Sequence, residues 1–342
     1  MTLSIDARCK QLVADLGIGT AAEVSGVEPL TGGVASDIVR FDLKGQTYCA
    51  KFALAKLKVA EDWTAPVHRN AAEYAWLEFA GSVAPACAPR LLGRSAEMQG
   101  FVMEFVAGPD VCLWKSVMLD GGRLDGGAER VADLLVRLQA ASAAPGFDAT
   151  AFDNRDDFRA LRIEPYLSFT ATRHPDLAGP LTALADMLYA ADLVLVHGDV
   201  SPKNILFRGA DPLFLDAECA TMGDASFDPS FCLNHLVLKA VHLPDMRAAL
   251  LADVRAFWTT YRGQVTFEDA DGLEARVAAL LPALMLARID GKSPVEYLSE
   301  EERTRVRDIS RDLIARPETR IDALVARLEE ALQVQPASTT MV

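Results

Sequence analysis

Three polar residues in one short region have the types and spacing that phosphoryl transfer requires. An apolar run over residues 194–196 ends at a His-Gly-Asp triplet that contains Asp199, and Asn204 follows five residues later. A second apolar run ends at Asp216, twelve residues after Asn204. Transfer from ATP needs one carboxylate near the acceptor hydroxyl, and an amide and a second carboxylate that hold Mg²⁺ against the phosphates. The region therefore predicts a kinase, with Asp199 as the catalytic base and Asn204 and Asp216 as metal ligands.

Three neighbouring side chains are predicted to support these groups. Glu218 lies two residues after Asp216, so a continuing strand would place both carboxylates on one side. We expect Glu218 to bind the metal or a metal-bound water, and the alternative is a solvated acidic turn. His197 is interpreted as a histidine that supports the loop rather than as an acid–base group. Asp228 is expected to cap the following helix and to accept hydrogen bonds from the catalytic loop.

Upstream, one lysine is placed to reach bound phosphates. Alternation in a predicted strand over residues 47–54 puts Cys49 and Lys51 on the same face. A lone strand lysine is usually solvated, but beside the downstream motif Lys51 is predicted to pair with the phosphates and with Glu73. Gly32 and Gly33 form a turn whose backbone can approach phosphates, although they do not make a G-x-G-x-x-G motif. The remaining residues predicted to contact the nucleotide are Ser36, Cys49, Met103, Glu104 and Val106.

Hydrophobic periodicity divides the chain into a strand-rich and a helix-rich part. We predict a β-rich lobe over residues 1–106 that binds ATP, and a larger, mainly helical lobe over 107–342 that holds the catalytic and acceptor-binding groups. The fold class is α+β, bilobal and protein-kinase-like. The predicted strands cover 24–30, 37–43 and 47–54, with two more in 90–105, and the predicted helices cover 69–80, 129–141, 180–191, 229–242, 245–262, 273–288, 300–315 and 319–334.

Composition limits the partners of the chain. The 342 residues carry 48 acidic and 34 basic side chains, a net charge of −14, which argues against binding to nucleic acid or to an anionic membrane. The polar N-terminus lacks the apolar core of a signal peptide, and the six cysteines contain no C-x-x-C pair. We therefore expect a cytoplasmic protein whose partner is a small-molecule acceptor. The sequence leaves the oligomeric state open, a homodimer included.

The catalytic motif resembles that of a known superfamily. H-G-D-x-x-x-x-N followed by D-x-E is similar to the aminoglycoside phosphotransferase, choline kinase and methylthioribose kinase group, as is the segment over residues 30–37. The resemblance covers about residues 24–240 and implies a protein-kinase-like fold with ATP and Mg²⁺ as cofactors. It implies phosphorylation of a hydroxyl group on a small polar metabolite.

Two segments favour methylthioribose kinase within that group. The strand around Lys51, followed by Trp63, Arg69 and Glu73, resembles the lysine strand of that family, and Arg288 resembles a sugar-binding arginine on a late helix. The family has paired arginines there and usually lacks the asparagine that Asn204 supplies. Arg288 is thus predicted to bind the acceptor, either a furanose sugar or an anionic group such as a carboxylate, and the alternative is a structural arginine that is solvated or paired with a nearby acid such as Asp290.

Other functions remain open from the sequence. Choline or ethanolamine kinase and aminoglycoside phosphotransferase are alternatives within the same reaction class, although few aromatic residues are present to enclose a quaternary ammonium. A nucleotide-binding regulatory protein without catalysis is the alternative from another class. A protein kinase is disfavoured, because the segment after Asp216 leaves little room for an activation loop and contains no A-P-E element.

Overall fold

A five-stranded antiparallel sheet forms the N-terminal part of the protein. The computed structural model describes residues 3–30, 36–54 and 66–333. The strand order is β1-β2-β3-β5-β4, and the strands are β1 (Val24–Leu30), β2 (Ser36–Leu43), β3 (Gln46–Ala53), β4 (Leu91–Ser95) and β5 (Gly100–Glu104). In this register Cys49 lies opposite Met103 on β5, and Lys51 lies opposite Phe101. The sheet therefore brings the predicted lysine strand beside the strand that leads out of this part of the chain.

Helix α1 (Ile5–Asp15) covers the outer face of the sheet. Its buried residues Cys9, Leu12 and Val13 recur at helical spacing and pack with Ala50 and Phe52 of β3 in a small separate core. Because Ala50 and Phe52 point outward to α1, Cys49 and Lys51 point to the opposite face.

Helix α2 (Arg69–Val83) joins the sheet to the rest of the protein. The Trp76 ring packs edge-on against His197, with 4.7 Å between ring centroids, and lies over Phe214 at 6.3 Å. Both partners belong to the catalytic region. One hydrophobic core thus includes residues from both parts of the chain, so α2 is fixed relative to the catalytic loop.

Two small sheets hold the predicted catalytic segment. Strands β6 (Val111–Leu113), β8 (Ile205–Arg208) and β9 (Asp211–Phe214) form one, and β7 (Val194–Val196) pairs with β10 (Thr221–Gly223) in the other. The loop between β7 and β8 carries the His-Gly-Asp triplet and Asn204. Strands anchored at both ends limit how far this loop can move.

Helices make up most of the remainder. They are α3 (Trp114–Leu119), α4 (Gly127–Ser142), α5 (Arg155–Phe158), α6 (Phe169–Arg173), α7 (Ala178–Ala190), α8 (Phe227–His242), α9 (Arg247–Arg262), α10 (Ala270–Asp290), α11 (Glu300–Ala315) and α12 (Ile321–Gln333). A π-helical segment, Arg159–Ser168, joins α5 to α6 and contains Pro165. The Pro165 carbonyl accepts the backbone N–H of Lys292, which ties this segment to the end of α10.

The predicted fold class is confirmed, and the predicted element bounds agree closely with the structure. The sequence interpretation omitted the short elements β6, α3 and β10, helix α1, and the helical residues 155–173, where Pro165 interrupts the periodicity. The division at residue 107 stays a prediction. In the part of the chain that the structure describes, no helix is long and apolar enough to cross a membrane.

Candidate active site

The catalytic loop is held from below by the first turn of α8. The buried Asp228 carboxylate accepts the backbone N–H of His197 at 2.8 Å and that of Gly198 at 2.9 Å, as the sequence predicts. The predicted helix-capping role is wrong, because Ser226 occupies the N-cap position and Asp228 lies inside the first turn of α8. Gly198 has a φ of +82°, and a Cβ there would lie 2.9 Å from the Cβ of Cys219. Glycine is therefore required at this position by both backbone conformation and packing.

His197 supports the loop as a neutral ring. Its Nδ1 accepts the backbone N–H of Asp199 at 3.1 Å, and its side chain is buried against aromatic rings. Burial lowers the pKa of His197 to about 4. The imidazole is thus uncharged at neutral pH, as suits a structural residue rather than an acid–base group.

Asp199 lies between two cations. Its Oδ2 accepts from Arg162 Nη2 at 3.0 Å and lies 3.2 Å from Lys203 Nζ, while its Oδ1 accepts from Ser201 Oγ at 3.1 Å. Burial opposes ionisation, but Lys203 and Arg162 outweigh it and hold the pKa of Asp199 well below its usual range. The carboxylate is therefore ionised at neutral pH and fixed in orientation.

Arg162 and Lys203 were not singled out from the sequence. Arg162 comes from the π-helical segment and also donates to the Gly198 carbonyl, although no short-range spacing links it to Asp199. Lys203 lies inside the catalytic motif, immediately before Asn204, so its proximity to Asp199 could have been predicted from the sequence.

Asn204 and Asp216 offer oxygen atoms to the same cleft. Asn204 Nδ2 donates to the Asp199 carbonyl at 3.1 Å, an orientation that leaves its amide oxygen available. Asp216 follows the end of β9, has a φ of +69°, and keeps 29% of its side chain exposed. Among the described residues no cluster of three or more His, Cys, Asp or Glu side chains could hold a metal. A cation here would take two protein oxygens and fill its shell with phosphate and water, as Mg²⁺ does.

Glu218 is arranged differently from the sequence expectation. The strand ends at Phe214 and the chain turns at Asp216, so the strand does not continue to align the two carboxylates. Glu218 accepts from Arg69 Nε at 2.9 Å, and only 7% of its side chain is exposed. It is therefore not part of a solvated acidic turn, and its metal-binding role stays a prediction.

Lys51 lies at the centre of a buried ion network. Its Nζ is 2.6 Å from Glu73 Oε1 and is also hydrogen-bonded to the Asp216 carboxylate. Burial opposes its charge, but Asp216 and Glu73 hold the pKa of Lys51 above its ordinary value. Burial raises the pKa of Glu73 to about 7 against the attraction of Lys51. The network positions one ammonium beside the predicted metal ligand.

These groups border a cleft of about 470 Å³ between the N-terminal sheet and the catalytic loop. Its apolar walls come from both parts of the chain, and its polar end is formed by Lys51, Lys203, Asn204 and Asp216. An elongated ligand with a flat apolar end and a charged end fits such a cleft. The predicted nucleotide-contact residues that line it are Cys49, Lys51, Glu73, Met103, Glu104 and Val106.

Several of the residues predicted to contact the nucleotide or to lie near it need separate comment. The Glu104 carboxylate accepts from Arg208 at 2.9 Å and from the backbone N–H of Arg90 at 3.1 Å, and the Glu104 backbone N–H donates to the Arg90 carbonyl at 2.8 Å. Ser36 is buried at the start of β2 and does not line the described cleft. Gly32, Gly33 and Trp63 lie outside the described residues.

Arg288 is buried in the last turn of α10 rather than solvated. Its Nη1 donates to Tyr166 Oη at 3.2 Å and to Ser293 Oγ at 2.8 Å. Asp290 is instead held by His174 at 2.9 Å and by Arg307 at 2.7 Å. The alternative pairing of Arg288 with Asp290 is therefore wrong, and its substrate-binding role stays a prediction.

Comparison with known proteins agrees with this geometry. The model of the phosphotransferase enzyme family matches residues 26–262. The chain belongs to this family. The predicted enzyme class, a small-molecule phosphotransferase, is thereby confirmed. Among curated proteins, none is significantly similar in sequence.

Solved structures of related fold include two enzymes of the choline kinase group. A choline kinase from Cryptosporidium parvum Iowa II has a TM-score of 0.56 at 12% identity, covering 96% of this chain and 99% of that chain. A choline/ethanolamine kinase family protein from Mesorhizobium loti has a TM-score of 0.51 at 17% identity, covering 96% and 98%. These similarities establish the fold, and the preference for methylthioribose kinase is not confirmed.

Proposed function

We propose that the protein transfers the γ-phosphoryl group of ATP, with Mg²⁺, to a hydroxyl group of a small polar metabolite. The observation that carries this proposal is the convergence of Lys51, Asn204 and Asp216 on one cleft, with Asp199 adjoining Asn204 and Lys203 at its polar end. The family supports phosphoryl transfer but leaves the nucleotide, metal and acceptor to be argued from these residues.

The cleft suits a nucleotide. Leu30 and Ile38 of the N-terminal sheet face Leu206 and Leu215 across it, which would enclose a purine between apolar side chains. Lys51 then lies at the end where the phosphates would bind, with its charge maintained by Glu73. Mg²⁺ would be held by Asp216 and Asn204, and when bound it neutralises charge on the phosphates.

Asp199 orients the acceptor. The acceptor oxygen forms a bond to the γ-phosphorus, the bond from that phosphorus to the bridging oxygen of ADP breaks, and the hydroxyl proton passes to the Asp199 carboxylate. A low pKa makes Asp199 a weak base, but a loose transition state needs positioning more than basic strength. Lys203, 3.2 Å from Asp199 and bordering the cleft, is placed to bind the oxygens of the transferred group.

A furanose sugar is one acceptor of the proposed kind. The test is ADP release with ATP and Mg²⁺ in the presence of methylthioribose, ribose, choline, ethanolamine or kanamycin. Acceptor-dependent release that disappears in Asp199→Asn supports the proposal. Nucleotide binding without any acceptor-dependent release would favour the regulatory alternative, and absence of nucleotide binding would contradict both.

A further inference from the structure

Three buried basic side chains lie on α8 and α10, two helices that pack against each other. His235 and Lys239 lie four residues apart on α8, so they share one face of the helix. Arg288 reaches the same region from the last turn of α10. Their relative exposures are 5%, 1% and 8%. We call these three residues the α8–α10 basic cluster.

The cluster lies partly on the helix that supports the catalytic loop. Its helix, α8, begins at the turn that holds the catalytic loop, and His235 lies on this helix about two turns after Asp228. At its other end, the charge of Lys115, a residue that borders the nucleotide cleft, acts on Lys239. The cluster is therefore connected through α8 to the turn that holds the catalytic loop.

The cations of this cluster lack anionic partners among the described residues. Lys239 Nζ lies 5.1 Å from the centre of the Tyr297 ring and has no carboxylate in ion-pair range. Arg288 bonds only to uncharged groups, Tyr166 and Ser293, and its Nε has no hydrogen-bond partner. His235 Nε2 is likewise buried without a partner.

Three carboxylates on neighbouring segments are engaged elsewhere. Asp290 is held by Arg307 and His174, and Glu302 lies 3.1 Å from His242. Glu296 pairs with Lys115 and keeps 67% of its side chain exposed. None of these carboxylates neutralises the cluster.

Burying a cation without an anion is unfavourable, because the protein interior replaces little of the hydration that the charge loses. Burial, together with the charge of Lys115, lowers the pKa of Lys239 to about 7. A chain with a net charge of −14 nonetheless keeps these basic groups buried on α8 and α10. A bound ligand with a negative charge would stabilise this arrangement, because it would provide the anionic partner that these basic groups lack.

We propose that the α8–α10 basic cluster binds an anionic group of the acceptor, a carboxylate or a phosphate, so that the substrate is a polyhydroxylated anion rather than an amino alcohol or an aminoglycoside. This inference rests on the proposed phosphotransferase function. The planar guanidinium of Arg288 can donate to two oxygens of the anion, and Lys239 adds a second positive charge. The unpaired Nε2 of the uncharged His235 is available to a hydroxyl group.

The test uses acceptors that differ only at one end. Sorbitol, gluconate, glucamine and sorbitol 6-phosphate carry the same hydroxylated chain with a neutral, carboxylate, ammonium or phosphate terminus. ADP release is measured with ATP and Mg²⁺, and choline and kanamycin are added as further cations. We expect gluconate or sorbitol 6-phosphate to raise kcat/KM at least about tenfold over sorbitol, and glucamine to fall below it. The two anions distinguish a carboxylate site from a phosphate site.

Lys239→Met separates a binding role from a structural one. We expect kcat/KM for the preferred anion to fall on the order of 100-fold, because a buried charge pair in the complex loses one partner, while the KM for ATP stays unchanged. The melting temperature should rise, because the free enzyme no longer buries an uncompensated cation. The matched control is Lys292→Met, which replaces an exposed lysine 5.5 Å from the Phe169 ring and should change none of these three quantities.

Distinct results contradict the two proposals. Faster ADP release with glucamine, choline or kanamycin than with the anions would overturn the anionic acceptor, as would a protein that binds Mg-ATP but responds to neither anion. An equal loss of activity on all acceptors in Lys239→Met, with a lower melting temperature, would also overturn it. Failure to bind Mg-ATP, or turnover that survives Asp199→Asn, would instead contradict the proposed function.

Discussion

Replacing Glu218 by alanine tests whether this residue stabilises the fold or binds the metal. In the structure Glu218 forms a buried ion pair with Arg69, at 2.9 Å, and 1% of the Arg69 side chain is exposed. Removing one partner of a buried ion pair costs about 3–5 kcal/mol, because that partner no longer offsets the desolvation of the remaining charge. Arg69 keeps the carbonyl groups of Pro66 and Leu54 as acceptors, each at 2.7 Å, so we expect the lower end, about 3 kcal/mol.

That free energy converts to a measurable shift in melting temperature. With an unfolding entropy of about 2.1 cal/mol/K per residue, a cooperative chain of 342 residues should lose about 4 °C. Glu218→Gln keeps a hydrogen-bond acceptor and should lose less. In a double-mutant cycle with Arg69→Met, the two changes should be non-additive by at least about 0.5 kcal/mol.

The assay combines denaturant unfolding with titration of ADP in the presence and absence of Mg²⁺. We expect Glu218→Ala to keep the Mg²⁺ dependence of ADP binding, whereas the control Asp216→Ala should lose it, because the more exposed carboxylate is the one accessible to a cation. Unchanged stability together with lost Mg²⁺ dependence in Glu218→Ala would refute the reasoning and assign Glu218 to the metal.

Three further predictions concern the residues that position the site. Lys51→Ala should raise the KM for ATP and lower kcat, and Glu73→Ala should have the same effects more weakly. Additive effects in the double variant would mean that the 2.6 Å contact between Lys51 and Glu73 has no energetic role. The pKa of His197 is lowered from 6.5 to about 4 in the folded protein, because burial disfavours the charged ring. The neutral ring therefore contributes about 3 kcal/mol to the free energy of unfolding at neutral pH, and this contribution is lost as the pH falls from 6.5 to 4. His197→Gln should flatten the pH dependence of unfolding over that range, whereas His68→Gln, at an exposed histidine, should not. Asp228→Ala leaves two buried N–H groups without an acceptor and should cost about 2–4 kcal/mol in the free energy of unfolding; a smaller loss than that of Asp228→Asn would contradict this.

The catalytic loop could be predicted because its chemistry is local in sequence. Asp199, Asn204 and Asp216 follow one another at short spacings beside short strands. Residues so close in the sequence also lie close together in the folded protein. The Lys51–Glu73 contact could also be predicted, since strand alternation and the next helix bring both residues to one face.

The partners of these groups were not predictable in the same way. Arg162 reaches Asp199, and Arg69 reaches Glu218, across large sequence separations that no periodicity records. The position of Glu218 depends on the backbone at Asp216. The left-handed conformation of Asp216 ends the strand alternation that the sequence pattern predicts between Asp216 and Glu218.

The central claim is tested most directly by phosphoryl transfer from γ-³²P-labelled ATP in the presence of Mg²⁺ to the acceptor that performs best in the screen. The account predicts that Asp199→Asn lowers kcat by about 10²–10⁴-fold, because the carboxylate acts on the acceptor in the transition state. Its Kd for Mg-ATP should stay within a few-fold of that of the unchanged protein. An Asp199→Asn variant that retains most of its kcat, or that loses turnover only because it no longer binds Mg-ATP, would contradict the account.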